Sequence, residues 1–202
     1  DRPVALDLCP NIVTFYGGGN DIMRPNVNID QLMTRVDEAF AALRSQDITI
    51  LTITGLNVQG QGPFAGTRGR TATYNELLRG IAEDHDAHII DYWRWTDFLD
   101  WRLWADDRLH MNALGHERFA SRALAQLGLP GIVPERALPP EVQLTVREKV
   151  EQEARWVREF ALPWIGRRLK GTSSGDGVTP KYPQWVPCLL YTSDAADERS
   201  SV

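Results

Sequence analysis

The chain has 202 residues, a formal net charge of −5, 24% charged and 43% hydrophobic residues. That length and balance suit one soluble globular domain with a sizeable core. The mild acidity argues against a general nucleic-acid binder, which is usually basic, and no run of 18 apolar residues offers a transmembrane helix.

Residues 1–9 carry neither a positive start nor a long apolar run, so no signal peptide is visible there. A cytoplasmic setting is slightly favoured, and export directed by sequence ahead of Asp1 stays open. Ile12–Tyr16 reads as a first buried strand and runs into Gly17-Gly18-Gly19-Asn20-Asp21. Asn28–Arg44 places Ile29, Leu32, Met33, Val36, Phe40 and Leu43 at helical spacing. Ile48–Thr54, ITILTIT, reads as the second strand. Gly55–Arg70 is a Gly-rich loop, either a surface loop or one bordering a substrate cleft. It is no phosphate-binding loop, because no Gly-Lys-Ser/Thr follows its glycines. Thr71–Asp84 sets Tyr74, Leu77, Leu78 and Ile81 on one helical stripe, and Ala87–Tyr92 reads as the third strand.

Trp93, Trp95, Phe98, Trp101 and Trp104 crowd the stretch that follows. They read as a loop packed on the core, or as the lining of an acyl or sugar pocket. Ala113–Leu127 forms the next helix. Glu141–Ala161 reads as an exposed amphipathic helix with Val142, Val146, Val150, Trp156 and Phe160 for packing, and 163–183 as loop. The Arg167, Arg168, Lys170 cluster there reads as a solvated tail. Residues 188–202, CLLYTSDAADERSSV, admit a back-translation matching a transposase adapter used in sequencing libraries, and are expected to be adapter-derived. Without that tail's net −2 the charge is −3, and Cys9 is the one native cysteine, too few for an internal disulfide or a multi-cysteine zinc site. The organisation expected is a core over 1–135, an appendage over 136–187 and the foreign tail. Alternating strand and helix implies an α/β fold with a parallel sheet and active groups at the carboxyl ends of its strands.

Two short patterns carry chemistry. Asp107-Arg108-Leu109-His110 places a carboxylate one turn before an imidazole. That fixes one tautomer and frees the other ring nitrogen to take a proton. His110 is the candidate base and Asp107 the group that orients it. Asn20 is the candidate donor to an oxyanion, with Gly18 and Gly19 allowing close backbone approach and Asp21 capping or holding the loop. Each pattern taken alone is more often a turn or a cap. Asn112 is a candidate cap for the helix after it. His110 and His116 are six apart and share no helical face, and His85 and His88 read as solvated or packing residues, so no metal is expected. His116 reads as structural.

Together, Gly18-Gly19-Asn20-Asp21 and Asp107-Arg108-Leu109-His110 resemble the Gly-x-Asn-Asp and Asp-x-x-His blocks of the SGNH (GDSL-type) hydrolases, and Tyr74-Asn75 looks like bacterial members. The resemblance covers roughly residues 1–130. It implies a flavodoxin-like three-layer α/β/α fold with a parallel sheet. It also implies a Ser-His-Asp esterase on small or lipid-like carboxylic esters, with no metal or organic cofactor. The family's Gly-Asp-Ser block is missing, and Ser45, Ser121, Ser173 and Ser174 lack its context. The expectation is an N-terminally truncated fragment, with its first strand, nucleophile and oxyanion glycine ahead of Asp1, and no catalysis by the polypeptide as given. A carbohydrate O-acetyl esterase and a non-catalytic α/β binding module are the alternatives. The only partner implied is a small-molecule ester, and oligomeric state is not legible.

Overall fold

A computed structural model describes residues 6–59 and 65–169. The chain divides into two compact units, Asn11–Ala161 and a second made of Asp1–Pro10 with Leu162–Val202.

The larger unit is built on an open parallel sheet of three strands, β1 (Ile12–Phe15), β2 (Thr49–Ile53) and β3 (His88–Ile90), in the order β1-β2-β3. Val13 lies beside Ile50, and Thr52 beside Ile89. β2 is central and its alternation shows it, with Ile50, Thr52 and the following Thr54 all fully buried. The buried threonines are satisfied: Thr52 Oγ1 donates to Phe15 O at 3.3 Å, and Thr54 Oγ1 to Asp91 Oδ1 at 3.2 Å. β1 is an edge, and Ile12 on it is 58% exposed.

A one-turn helix α1 (Gly19–Ile22) follows β1, and α2 (Ile29–Arg44) precedes β2. Asn28 caps α2 by accepting the Gln31 N–H at 3.0 Å. The expected stripe is the buried one, with Leu32, Met33, Val36, Phe40 and Leu43 all inside. Helix α3 (Arg68–Asp84) starts three residues earlier than its apolar pattern does and packs against α2. Its buried face is Thr71, Tyr74, Asn75, Leu78 and Ala82. Leu77 and Ile81, expected on that stripe, lie at its half-buried margin. β3 ends at Ile90, two residues short of expectation, because Tyr92–Arg94 turns into a 3-10 turn. Two more such turns, Thr96–Leu99 and Trp101–Leu103, lead to helix α4 (Ala113–Gln126).

These turns pack as a second core. Tyr92, Phe98 and Leu103 are buried, with Trp95, Trp104, Met111, Leu114 and Phe119 against them. The Tyr92 ring meets Phe98 and Phe119 edge-on at 4.9 and 5.1 Å, a favoured aromatic geometry. Most of the aromatic run is therefore core, and Trp101 alone stands out, 47% exposed.

Two expectations for the later chain are corrected. The helix after Glu141 begins only at Val146, where Thr145 and Glu148 form a reciprocal capping box, so α5 is Val146–Trp156. Val142, Val146 and Val150 do not pack; they are 76, 80 and 62% exposed. Only Trp156 and Phe160 of that set are part-buried. After a π-helical turn at Val157–Ala161, residues 163–169, expected as loop, belong to helix α6 (Leu162–Leu169), the described element of the second unit. Pro163 is its second residue, directly after the π-helical turn. The expected loop beyond 169 and the tail 188–202 lie outside the described residues. Among the described residues, no helix is long and apolar enough to cross a membrane.

Candidate active site

Residues 104–111 fold back on themselves. Trp104 and Met111 form an isolated antiparallel bridge, and Ala105 N–H donates to His110 O at 2.8 Å. At the tip, Arg108 N–H donates to Ala105 O at 3.0 Å, and Arg108 adopts a left-handed φ of 58°.

Asp107 organises this tip. Its Oδ1 accepts the backbone N–H groups of Leu109 and His110 at 2.9 and 3.0 Å. Its Oδ2 lies 2.6 Å from His110 Nδ1. One oxygen thus holds the turn and the other contacts the imidazole. Burial of the carboxyl opposes ionisation. The N–H and imidazole bonds from His110, with the Leu109 N–H, outweigh it and hold Asp107 below the usual carboxylate range. An ionised Asp107 accepts a hydrogen bond from Nδ1–H, which leaves Nε2 as the acceptor. The His110 side chain is 74% exposed, so Nε2 is accessible to a reacting group.

Asn112 anchors the base of the turn. Its Oδ1 caps α4 by accepting the Gly115 N–H at 2.9 Å, as expected. Its amide also donates to Arg102 O and Trp104 O at 2.8 and 3.1 Å. A Cβ at Gly115 would lie 2.2 Å from Leu103 O, so glycine there lets α4 start directly against the 101–103 turn. His116 sits within α4.

The second group of expected residues lies after β1. Gly18 is the N-cap of α1 at φ 81°, and a Cβ on it would meet the Tyr74 ring at 2.8 Å. Tyr74 Oη donates to Gly17 O at 3.1 Å, and Arg70 donates to the carbonyls of Ile22, Arg24 and Val27 at 2.9, 3.1 and 2.7 Å. Helix α3 therefore holds both ends of α1. Asn20 is exposed and Asp21 half-buried on that turn. Of the two expectations for Asp21, capping the turn or holding the loop, the cap is not formed: Asp21 lies inside the first turn, and no side chain caps α1. Asn75, one residue on, pins the end of β2: its Oδ1 accepts Gly55 N–H at 2.7 Å and its amide donates to Gly55 O at 3.0 Å. The Tyr74-Asn75 pair thus fixes two strand-end connections at once.

Asp107 and His110 are brought into contact; among the described residues no hydrogen bond joins either of them to Asn20. Both groups lie on connections that leave the carboxyl ends of strands. The post-β3 connection is tied back to β2, because Trp93 N–H donates to Thr54 Oγ1 at 2.9 Å. Among the described residues no cluster of three or more His, Cys, Asp or Glu could hold a metal. His85 pairs instead with Asp37 at 2.6 Å.

Residues that the sequence reading did not connect with Asp107 surround it. Trp156 Nε1 donates to Asp107 O at 3.2 Å, and Arg108 is bound by both carboxylate oxygens of Glu153. Trp101, Trp104, Arg108, Glu153, Trp156 and Phe160 line a cleft of about 390 Å³ beside the turn. No local pattern signals these contacts, which span 45 and 49 residues.

The fold resembles solved structures. An alpha/beta hydrolase enzyme from the metagenome of Lake Arreo, Spain, superposes with a TM-score of 0.52 at 25% identity, over 61% of this chain and 62% of that one. A variant of an acetyl xylan esterase from Geobacillus stearothermophilus gives 0.53 at 19% identity over 65% of each chain. A variant described as an acetyl-xylooligosaccharide esterase from Geobacillus gives 0.51 at 21% identity, over 66% of this chain and 65% of that one. The chain thus spans slightly under two thirds of these structures. No curated protein matches significantly. Residues 1–118, which contain both the Gly18–Asp21 and the Asp107–His110 segments, match the GDSL-like lipase/acylhydrolase family, and the chain belongs to that family.

Proposed function

We propose that this protein is part of a serine ester hydrolase, with His110 as general base and acid, Asp107 as its orienting carboxylate, and Asn20 as an oxyanion donor. The observation that carries the reading is the 2.6 Å contact between Asp107 Oδ2 and His110 Nδ1 on a strand-end connection within the family segment. The nucleophilic serine is supplied by sequence ahead of Asp1, since residues 1–202 hold no Gly-Asp-Ser block. The exposed edge at Ile12 supports a further strand beside β1 carrying it.

In this reading Nε2 of His110 takes the serine proton as the hydroxyl attacks the ester carbonyl, and returns it to the leaving alcohol oxygen. Asp107 stabilises the imidazolium in between. Gly18 brings the α1 backbone close, and the Asn20 amide donates to the tetrahedral oxyanion. Acetyl esters of carbohydrates fit better than lipid-like esters. Two of the similar structures are variants of one esterase that acts on acetyl xylan and acetyl-xylooligosaccharides, and the cleft beside the Asp107 turn is lined by tryptophans and charged groups rather than a long apolar channel.

The test joins residues 1–187 to the coding sequence upstream. The lengthened protein is expected to release acetate from acetylated xylo-oligosaccharides and to prefer p-nitrophenyl acetate over long-chain esters. His110→Ala should lower kcat by about 10³-fold or more. The 202-residue chain alone should be inactive. Absence of a serine block upstream, or activity indifferent to His110→Ala, rejects the reading.

A further inference from the structure

Helix α5 has an unusual economy of contacts. Val146 and Val150 face solvent, and the exposed Glu and Arg residues around them offer no apolar face to a core. Its end does otherwise. Trp156 is part-buried, and its Nε1–H reaches Asp107 O at 3.2 Å. One turn earlier, Glu153 receives both arms of the Arg108 guanidinium, at 2.9 and 2.5 Å. That guanidinium also lies 5.0 Å from the Trp156 ring centre and 5.8 Å from that of Trp101, within cation–π reach of both.

The residue so gripped sits at the strained point of the turn. Arg108 is left-handed at φ 58°, where an L side chain meets its own backbone and glycine is the ordinary occupant. The base of the turn is closed by the Trp104–Met111 bridge, with Ala105 N–H donating to His110 O and Asn112 N–H to Leu103 O. The imidazole at its tip is mostly exposed, and Asp107 is the partner its ring shows. The orientation of His110 therefore depends on how firmly the Asp107–Arg108 peptide is held, and the end of α5 meets it at two points, Asp107 O and the Arg108 guanidinium.

We propose that α5 is a clamp on the catalytic turn, with Trp156, Glu153 and Arg108 as positioning residues for the His110 imidazole. The proposal rests on Asp107–His110 being the acid–base pair. Trp156 fixes the Asp107 carbonyl, the Arg108–Glu153 fork holds the left-handed residue, and together they keep Oδ2 aligned on Nδ1. The appendage thus contributes to the tautomer of the base, although it carries none of the reacting groups.

Ring ¹⁵N shifts of His110 test this in the 202-residue chain and need no nucleophile. They are read at alkaline pH, so that tautomers of the neutral ring are compared. The parent is expected to hold the Nδ1–H tautomer. Trp156→Phe removes the N–H and leaves a smaller aromatic ring beside Arg108; Glu153→Ala removes the fork. Each should raise the Nε2–H to Nδ1–H ratio about fivefold, the effect of one ordinary hydrogen bond. Arg108→Ala/Glu153→Ala together should do no more than Glu153→Ala alone. Helix content by circular dichroism is expected to stay constant; where Glu153→Ala loses the helix, Trp156→Phe decides.

Asp107→Asn separates the two claims. It should abolish the Nδ1–H preference by itself. If it does and Trp156→Phe leaves the ratio unchanged, the clamp is wrong and the pair stands. If Asp107→Asn changes nothing, the pair is wrong and the clamp falls with it.

Discussion

Asp107 uses both carboxylate oxygens within one turn. Two backbone N–H groups on Oδ1 fix the peptide geometry, and the imidazole on Oδ2 inherits that geometry. The coupling gives a stability signature. The folded-state pKa of Asp107 is lowered, so the unfolded chain binds its proton first as pH falls. Its stabilisation is therefore complete above the ordinary carboxylate pKa and is lost as pH drops through the lowered folded value. Asp107→Asn should be less stable than the parent at neutral pH, with the gap narrowing towards acid. Urea midpoints at a series of pH values read this; a gap that widens towards acid contradicts it. Asp100, Glu148 and Glu153 are lowered in the same sense, so the parent's acid limb is shared and only the difference belongs to Asp107. At this scale the sequence was most informative. An Asp three residues before a His can only meet it by closing one turn, so the contact is written in the spacing. The hold on Arg108 is not, because Glu153 and Trp156 arrive from another element.

At the scale of elements, the close packing of α4 on the 101–103 turn depends on one missing methyl. Gly115 occupies the third position of α4, where alanine would normally gain up to about 1 kcal/mol in helix propensity. Here a Cβ would stand 2.2 Å from Leu103 O, and that carbonyl also accepts the Asn112 N–H at 3.1 Å. Overpacking of this kind costs roughly 1–3 kcal/mol, so the clash wins. Gly115→Ala should lower stability by about 1–2 kcal/mol, read as a lower urea midpoint at unchanged slope. An equal or higher midpoint would show that α4 can slide off the turn. Elements were legible where apolar residues recur densely: α2 buries the stripe its spacing predicts, from Leu32 to Leu43. α5 was legible as a helix and misread as packing, because Val142, Val146 and Val150 are single apolar residues among charges. Such a thin row can face water, and only large rings at its end found partners. α6 was hidden by Pro163 and Gly166, residues that signal loops in a sequence.

For the molecule as a whole, the sheet is asymmetric. β2 is buried on alternate residues and paired on both sides, whereas β1 is paired on one side and exposes Ile12. A short run of Ile, Val, Thr and Phe on an open edge carries no charge or proline to discourage pairing, unlike the edges that proteins leave free. The strand that would carry the nucleophile, placed beside β1, would pair the outward amides of β1. It would also bring a serine at its carboxyl end towards the loop of Gly17–Asp21. Amide hydrogen exchange then distinguishes a catalytic fold from a binding module that never had the strand. In the lengthened protein, the outward amides of Ile12–Phe15 should exchange about 10²-fold more slowly or better than in the 202-residue chain, as edge amides become interior ones. The amides of β2, already paired on both sides, serve as the reference and should gain far less. Equal exchange on β1 in both proteins would mean that the upstream sequence does not pair with this edge. The serine would then need another route to His110.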